Sequence, residues 1–378
     1  MKKTSYIALT LILLVFLGAC DNSFGVFKEI QSEKEQVGTD QFKNALVKAI
    51  AEDSSHYYAL MSKVFYRTTA GTSWSVLPIG SSADTDYFCS GFASNGAGTL
   101  FFATTDTSSN ELKGVWKTSD SGTSWTSIDA SAVSAASGGT RIFDALYSAG
   151  GSVFALAHTK TDNLYTLYAS DGSTAFAAIA NLQSIALPVL DVVSDSTDFW
   201  AITREKLYRG STATNFAEDS LAGTPSGNET IRGIIVNSAS SVVVSTNDGQ
   251  LYTYNGSWQA AKTVETDVQL GAMTEVPLDP SDGASALRLI LAKHNTSYGY
   301  FEWNAVTDTK VLGSAAEAVF SQPSSNYTTT MYSKPILSFH YSTANRTIFA
   351  GLAAQGTDGY ALYANTFTAG AWSGWTAQ

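Results

Sequence analysis

Basic residues, histidine and cysteine are all scarce in this 378-residue chain, and each scarcity removes a class of function. Lysine and arginine number 22 against 33 aspartates and glutamates. Nucleic-acid binding depends on phosphate neutralisation by basic patches, so no nucleic-acid partner is expected. The four histidines, His56, His158, His294 and His340, are far apart and show no metal-ligand spacing. Asp279-Pro280-Ser281-Asp282-Gly283 reads as ordinary turn chemistry rather than a calcium loop. No phosphate-binding loop, nucleophile elbow or zinc-protease helix motif is present, and no cofactor, metal site or catalytic residue is expected. Two cysteines, Cys20 and Cys89, allow at most one disulfide. The apolar run Tyr6–Phe16 is too short to cross a bilayer, which takes about 20 apolar residues.

What that run does have is the length of a secretory h-region, preceded by the positive pair Lys2 and Lys3. It ends in Leu17-Gly18-Ala19-Cys20, which resembles the lipobox of bacterial lipoproteins. The resemblance implies cleavage before Cys20, a diacylglyceryl thioether on its sulfur and usually N-acylation, so that Cys20 anchors an exported protein to a bacterial membrane. An ordinary signal peptide with an incidental cysteine is the alternative. Two or three acyl chains give a lasting hold where one gives a marginal one. With Lys2 and Lys3 removed, 20 bases against 33 acids leave the mature chain at −13. Cys89 then has no partner within the chain, and its apolar neighbours Tyr87 and Phe88 mark a small buried hydrophobe. The expected organisation is a signal peptide over residues 1–19, a lipidated Cys with a flexible tether over 20–41, and one domain over 42–378.

So long a stretch exceeds the usual size of one core, which directs attention to repeats. Short β-branched and aromatic runs recur about every 40 to 60 residues: Tyr57–Leu60, Leu100–Ala103, Val153–Leu156, Phe199–Ile202, Val242–Val244, Leu289–Ala292 and Ile348–Gly351. Each precedes a polar turn and a strand carrying an aromatic: Phe65, Trp116, Tyr168, Tyr208, Tyr252, Phe301 or Tyr363. In six repeats a further aromatic follows, Trp74, Trp125, Phe176, Phe216, Trp258 or Trp372. An apolar run such as Ile142–Leu146 or Ile231–Ile235 comes before each pair. Four strands per repeat, seven times, predict an all-β seven-bladed β-propeller of four-stranded antiparallel blades. Phe42, Ala45, Leu46, Ala49 and Ile50 also fit a helical stripe, but their position in the repeat favours strand. Because the last blade supplies its own outer strand near Trp372–Trp375, the ring is expected to close by side-chain packing alone.

Thr118-Ser119-Asp120-Ser121-Gly122-Thr123-Ser124-Trp125 resembles the Asp-box of sialidase-type repeat propellers at every defined position. Thr68–Trp74 and Ser170–Thr174 are decayed copies. The resemblance implies a structural turn between third and fourth strands, away from the ligand face, in which Thr118, Asp120, Gly122, Ser124 and Trp125 act locally. Asp120 suits acceptance of turn N–H groups, Gly122 a positive φ, and Trp125 a seal between blades.

A sialidase would also need an arginine cluster, a Tyr/Glu nucleophile pair and an acid/base Asp. Arg141, Arg204 and Arg232 fall near the ligand face, where a bidentate carboxylate clamp is conceivable, the alternative being three solvated arginines. Two insertions mark the same face, Thr105–Lys113 and about Ser314–Lys334, the latter carrying Tyr327 and Tyr332 among Ser and Thr. That composition suits recognition. The expected function is a lipid-anchored, non-enzymatic envelope propeller that binds a protein or glycan partner. A sialidase-like glycan-processing enzyme and an architectural subunit of an envelope assembly are the alternatives.

Overall fold

The computed structural model describes residues 41–79, 87–95, 98–106, 109–134, 141–221, 229–294, 298–304, 309–311, 320, 331, 334–354 and 359–378. The chain forms seven consecutive antiparallel blades, each with its strands in sequence order from the channel outward. The innermost strands are Ala49–Glu52, Phe88–Ser94, Arg141–Ala149, Asp191–Ser194, Ile231–Val236, Leu270–Pro277 and Ile336–Ser342. Each of them packs against the innermost strands on either side, the first against the last, which closes the ring.

The apolar runs that revealed the repeat are the second strands. Leu100–Thr105, Val242–Thr246 and Thr347–Leu352 are buried along their whole length. A strand covered by a neighbouring blade on both faces has no solvent side, so its sequence reads as a continuous apolar run. The fourth strands are short, only Ser75–Val76 in blade 1 and Ala177–Ala178 in blade 3, which limits the open edge that another chain could extend.

The six late aromatics share one task, filling the seam with the preceding blade. Trp74 joins the cluster shared with blade 7, Trp125 packs on that between blades 1 and 2, and Phe176 lies between blades 2 and 3. Phe216 meets Phe154 of blade 3 with ring centroids 6.4 Å apart, and Trp258 meets Trp200 of blade 4 at 5.8 Å. Trp372 donates its indole N–H to Leu278 O of blade 6 at 2.9 Å. Blade 6 lacks the mark in sequence, and Trp303 of its third strand fills the corresponding seam with blade 5.

A second repeated device was hidden in the sequence. The hairpins after several innermost strands open on an Asp or Asn whose carbonyl or carboxyl oxygen caps the turn. Asp53 Oδ1 accepts from the Ser55 and His56 amides, both at 2.7 Å. Asp195 does the same for Thr197 and Asp198, and Asn237 for Ala239 and Ser241. Such side chains satisfy turn N–H groups that would otherwise lack partners.

The closure differs from expectation. Ahead of the first strand, Phe42–Val47 is not helical but follows the last blade through a turn and two isolated bridges, with Asn44 at φ 55°: the Asn44 and Val47 amides donate to Gly359 O and Leu352 O, and those of Ala354 and Ala361 to Ala45 O and Phe42 O. Main-chain hydrogen bonds therefore close the ring in addition to packing. Phe42 drives this arrangement, since its ring is wedged 5.8 Å from Phe65 and 5.1 Å from Trp74 of blade 1. The strand expected over Phe42–Ile50 itself begins only at Ala49.

Candidate functional site

One end of the channel, here the mouth, is where innermost strands begin and second strands end. In five blades the innermost strand carries a β-bulge there: between Cys89 and Gly91, Leu156 and Ala157 (opposite Asp144), Ile231 and Gly233, Leu270 and Met273, and Ile336 and Ser338. A bulge inserts an unpaired residue and re-aims its side chain. The extra residues include Ser90, Asp144, Arg232 and Leu337, so a ring of re-aimed side chains surrounds the mouth.

On blades 4 and 5 two arginines meet at this end, Arg232 from its bulge and Arg204 from a turn. Arg204 sits in the turn after the second strand of blade 4, and its carbonyl accepts the Ile231 amide of blade 5 at 2.8 Å. That bond brings Arg204 beside Arg232. Burial first, then the Arg204 charge, holds the Arg232 guanidinium below its ordinary pKa. Its Nε is buried without a hydrogen-bond partner, and among the described residues no carboxylate pairs with Arg204 or Arg232. Two glycines let the blades close up at this place: a Cβ on Gly233 would lie 2.9 Å from Gly271 O, and one on Gly271 would strike the His294 ring. His294 bonds Ile336 O through Nε2 at 2.7 Å. Burial lowers its pKa, with the Arg232 charge acting in the same direction against that bond.

Blades 3 and 4 contribute acids. Asp144, on its bulge, meets His158 with Oδ2 to Nδ1 at 2.7 Å, and the side chains are 12% and 13% exposed. Burial raises the Asp144 pKa although the histidine opposes it. Asp191 opens the innermost strand of blade 4 and accepts the Val192 amide at 2.8 Å, and burial pushes its carboxyl up to about 7. Tyr147 donates to Val189 O at 2.7 Å, and its pKa is raised by burial and then by the charges of Asp191 and Asp144.

Arg141 stands apart from the other two arginines. It donates to Ala132 O at 2.8 Å and to the Tyr168 hydroxyl, and its guanidinium lies 5.3 Å from the Tyr168 ring centre. The structure thus brings together two of the three arginines singled out from sequence. Tyr327, Tyr332 and Cys20 lie outside the described residues. Sequence reasoning missed Asp144 and Asp191 and gave His158 and His294 no role: a bulge, which has no residue code, sets the direction of Asp144, and the other three owe their surroundings to neighbouring strands.

The opposite end of the channel holds the Thr118–Trp125 turn. Asp120 Oδ1 accepts the Ser124 amide and the Thr118 hydroxyl, each at 2.8 Å, and Ser124 Oγ donates to Oδ2. Thr118 Oγ1 accepts the Gly122 amide at 2.9 Å, and Gly122 has φ of 87°. Ser121 reaches across to donate to Asp53 Oδ2 of blade 1 at 2.6 Å. The Ser124 hydroxyl, then its amide and Thr118, draw the Asp120 pKa below the ordinary carboxylate value. Asp279 likewise accepts the amide of Ser281 within its own turn, and among the described residues no group of three or more His, Cys, Asp or Glu is placed to hold a metal ion.

Fold and mouth together define a seven-bladed β-propeller with charged side chains gathered at one end of its channel. No family model and no curated protein matches the chain. Solved structures do. The chain is similar to YCF48 bound to D1 peptide, with a TM-score of 0.55 and 11% identity over 86% of this chain and 93% of that one. YCF48 from Cyanidioschyzon merolae gives 0.50 and 12% over 85% and 95%. A GH74 enzyme of Niastella koreensis gives 0.59 and 14% over 88% of this chain and 54% of that enzyme. At these identities the likeness concerns the fold, which hosts both binding proteins and enzymes.

Proposed function

We propose that this protein is an exported, non-enzymatic binding propeller, held to a bacterial membrane by lipid on Cys20, whose mouth receives a carboxylate-bearing element of a protein partner. One observation carries the reading: Arg204 and Arg232 stand side by side, partly desolvated, with no acid opposite them among the described residues. Two guanidinium groups so placed repel each other, and a bound carboxylate, gripped by planar donors, relieves the repulsion. The YCF48 complex with a D1 peptide supports the reading by analogy of fold. The test is crosslinking and pull-down from intact cells. Arg204→Gln/Arg232→Gln should lower capture at least tenfold without lowering the melting temperature, and wild-type capture should weaken with salt. Undiminished capture by the folded double variant would overturn the assignment.

The acids on blades 3 and 4 favour a second reading, a glycan-processing enzyme, since a buried carboxyl pushed up to about 7, as at Asp191, suits a general acid. Hydrolysis of fluorogenic glycosides by the wild type, lost in Asp191→Asn, would establish it in place of the first.

A further inference from the structure

Two histidines stand at the mouth, and they are used differently. His294 follows directly on the second strand of blade 6, Leu287–Lys293; its Nε2 is spent on Ile336 O, and its ring packs against Gly271. His158 is the last residue but one of the second strand of blade 3, Ser152–Thr159, opposite Ile142 of the innermost strand. Its Nδ1 meets Asp144 Oδ2 at 2.7 Å, and the Tyr165 ring centre lies 5.1 Å from its own. The hydrogen bond made by one ring nitrogen decides what the other presents. With Asp144 ionised, the shared proton sits on Nδ1 and Nε2 carries the lone pair. Nε2 makes no hydrogen bond among the described residues, and it is not enclosed as the Nε2 of His340 is. A carboxylate behind the ring thus holds an open acceptor at the channel mouth.

The rest of the rim gives this acceptor a counterpart. Asp144, Asp191, Arg204 and Arg232 follow one another over blades 3, 4 and 5, whose innermost strands pack side by side. Asp191 pairs with Ile202, two residues before Arg204, so acid and base sit at the same end of blade 4. Among the described residues no ion pair joins either acid to either arginine. The bulges of blades 2, 6 and 7 add no charge, since their extra residues come from Ser90, Gly271, Ala272 and Leu337. Acceptors therefore gather toward blade 3 and donors toward blade 5. Resting on the reading of the arginine pair given above, we propose that His158 is a second recognition residue of the mouth, accepting a hydrogen bond from an ammonium group through Nε2. The partner segment is then dipolar, with its carboxylate on Arg204 and Arg232 and a lysine or amino-terminal ammonium on His158. Charge selects ammonium over hydroxyl. The Asp144 carboxylate stands behind the ring, the charges of Asp144 and Asp191 both reach Tyr147, and the whole chain is acidic, so a cation gains an attraction that a neutral donor does not.

Peptide arrays probed with the purified full-length protein in detergent test this. The peptides carry a glutamate with lysine, norleucine or serine at varied spacing, alongside versions with glutamine in place of glutamate. Lysine peptides should be held roughly tenfold more tightly than norleucine or serine peptides of the same spacing, the scale of a hydrogen bond to a charged group. His158→Phe, whose ring fills the place without an acceptor, should erase that preference and keep the dependence on glutamate. Asp144→Asn, which removes the charge and no longer fixes the ring proton, should weaken the preference. A folded His158→Phe protein that keeps the preference would overturn the proposal, as would lysine and norleucine peptides held alike or no peptide held at all. Should either variant melt earlier than the wild type, ring-nitrogen NMR of the wild type decides. His158 should show a proton on Nδ1 and a bare Nε2, and the Nε2 signal should move on adding a lysine peptide but not its norleucine counterpart. A proton on Nε2 in the free protein, or an equal response to both peptides, would overturn the assignment. The two readings fail separately. If Arg204→Gln/Arg232→Gln keeps the glutamate dependence while His158→Phe removes the lysine preference, the arginine reading fails and the histidine assignment stands. If the arginine variant loses binding and lysine makes no difference, the reverse holds.

Discussion

The two ends of this propeller treat charge in opposite ways. At the end bearing the Thr118–Trp125 turn, Asp120 is open to solvent yet surrounded by donors from Thr118 and Ser124, and its pKa falls. At the mouth, the half-buried Asp191 accepts the Val192 amide and rises to about 7, while Arg204 and Arg232 lie close enough for their charges to oppose each other, with no acid paired to either among the described residues. The same strands make both ends. What differs is the hairpin, which folds back on its own side chains at one end, against strand starts, turns and, at Arg232, a bulge, whose side chains meet neighbouring blades at the other. Local turns satisfy their charges by construction, whereas at the mouth Asp144 needs His158 of the neighbouring strand and Arg204 and Arg232 find no acid among the described residues.

Four substitutions sharpen or break this contrast. Trp125→Ala should have the largest effect, a loss of roughly 3 kcal/mol in denaturant unfolding, because the indole packs 5.1 Å from the Phe102 ring over the seam of blades 1 and 2. A change below about 1 kcal/mol would mean the turn end is not a structural fastening. Asp191→Asn should stabilise the protein by about 1–3 kcal/mol at pH 8. The sign follows from linkage: with its folded pKa raised from 3.8 to about 7, the native state holds a proton that the unfolded chain releases, so stability falls as pH rises through that window. At pH 3.5 variant and wild type should melt together, and a gain that persists there would trace to something other than ionisation.

Arg232→Gln should leave stability unchanged or raise it by up to about 1 kcal/mol, since it removes a desolvated charge held beside another. A clear loss of stability would place Arg232 among the structural residues with Arg141. Asp120→Ala should lower the melting midpoint slightly at neutral pH. Because its folded pKa is depressed, that contribution is present above the ordinary carboxylate pKa and lost as the pH falls through the folded value, so the difference between variant and wild type should shrink in acid.

Particular residues show why some features were legible and others were not. Leu100–Thr105 announced a strand because burial on both faces demands an unbroken apolar run. The Phe42–Ile50 stripe was ambiguous because its apolar residues answer to two surfaces in turn: Phe42, Ala45 and Val47 fill the seam between the last and first blades, while Ala49 packs at that between blades 1 and 2. Closure was misjudged for the same reason, as hydrogen bonds between residues more than 300 positions apart leave no local pattern. Of the arginines, Arg141 looked no different from Arg232 in sequence. One was drawn onto Tyr168 and the other pushed out by a bulge.

The sequence by itself determined what depends on neighbours along the chain: which segments are strands, how many blades they make, and the donors gathered around Asp120. Those choices are governed by backbone preference, apolar patterning and hydrogen bonds reaching only a few residues. Tertiary structure alone decided which charges share the mouth, which arginines are drawn together there, and how Phe42–Val47 fastens to the last blade, because each rests on blades meeting side by side around the ring and on bulges that displace a strand by one residue.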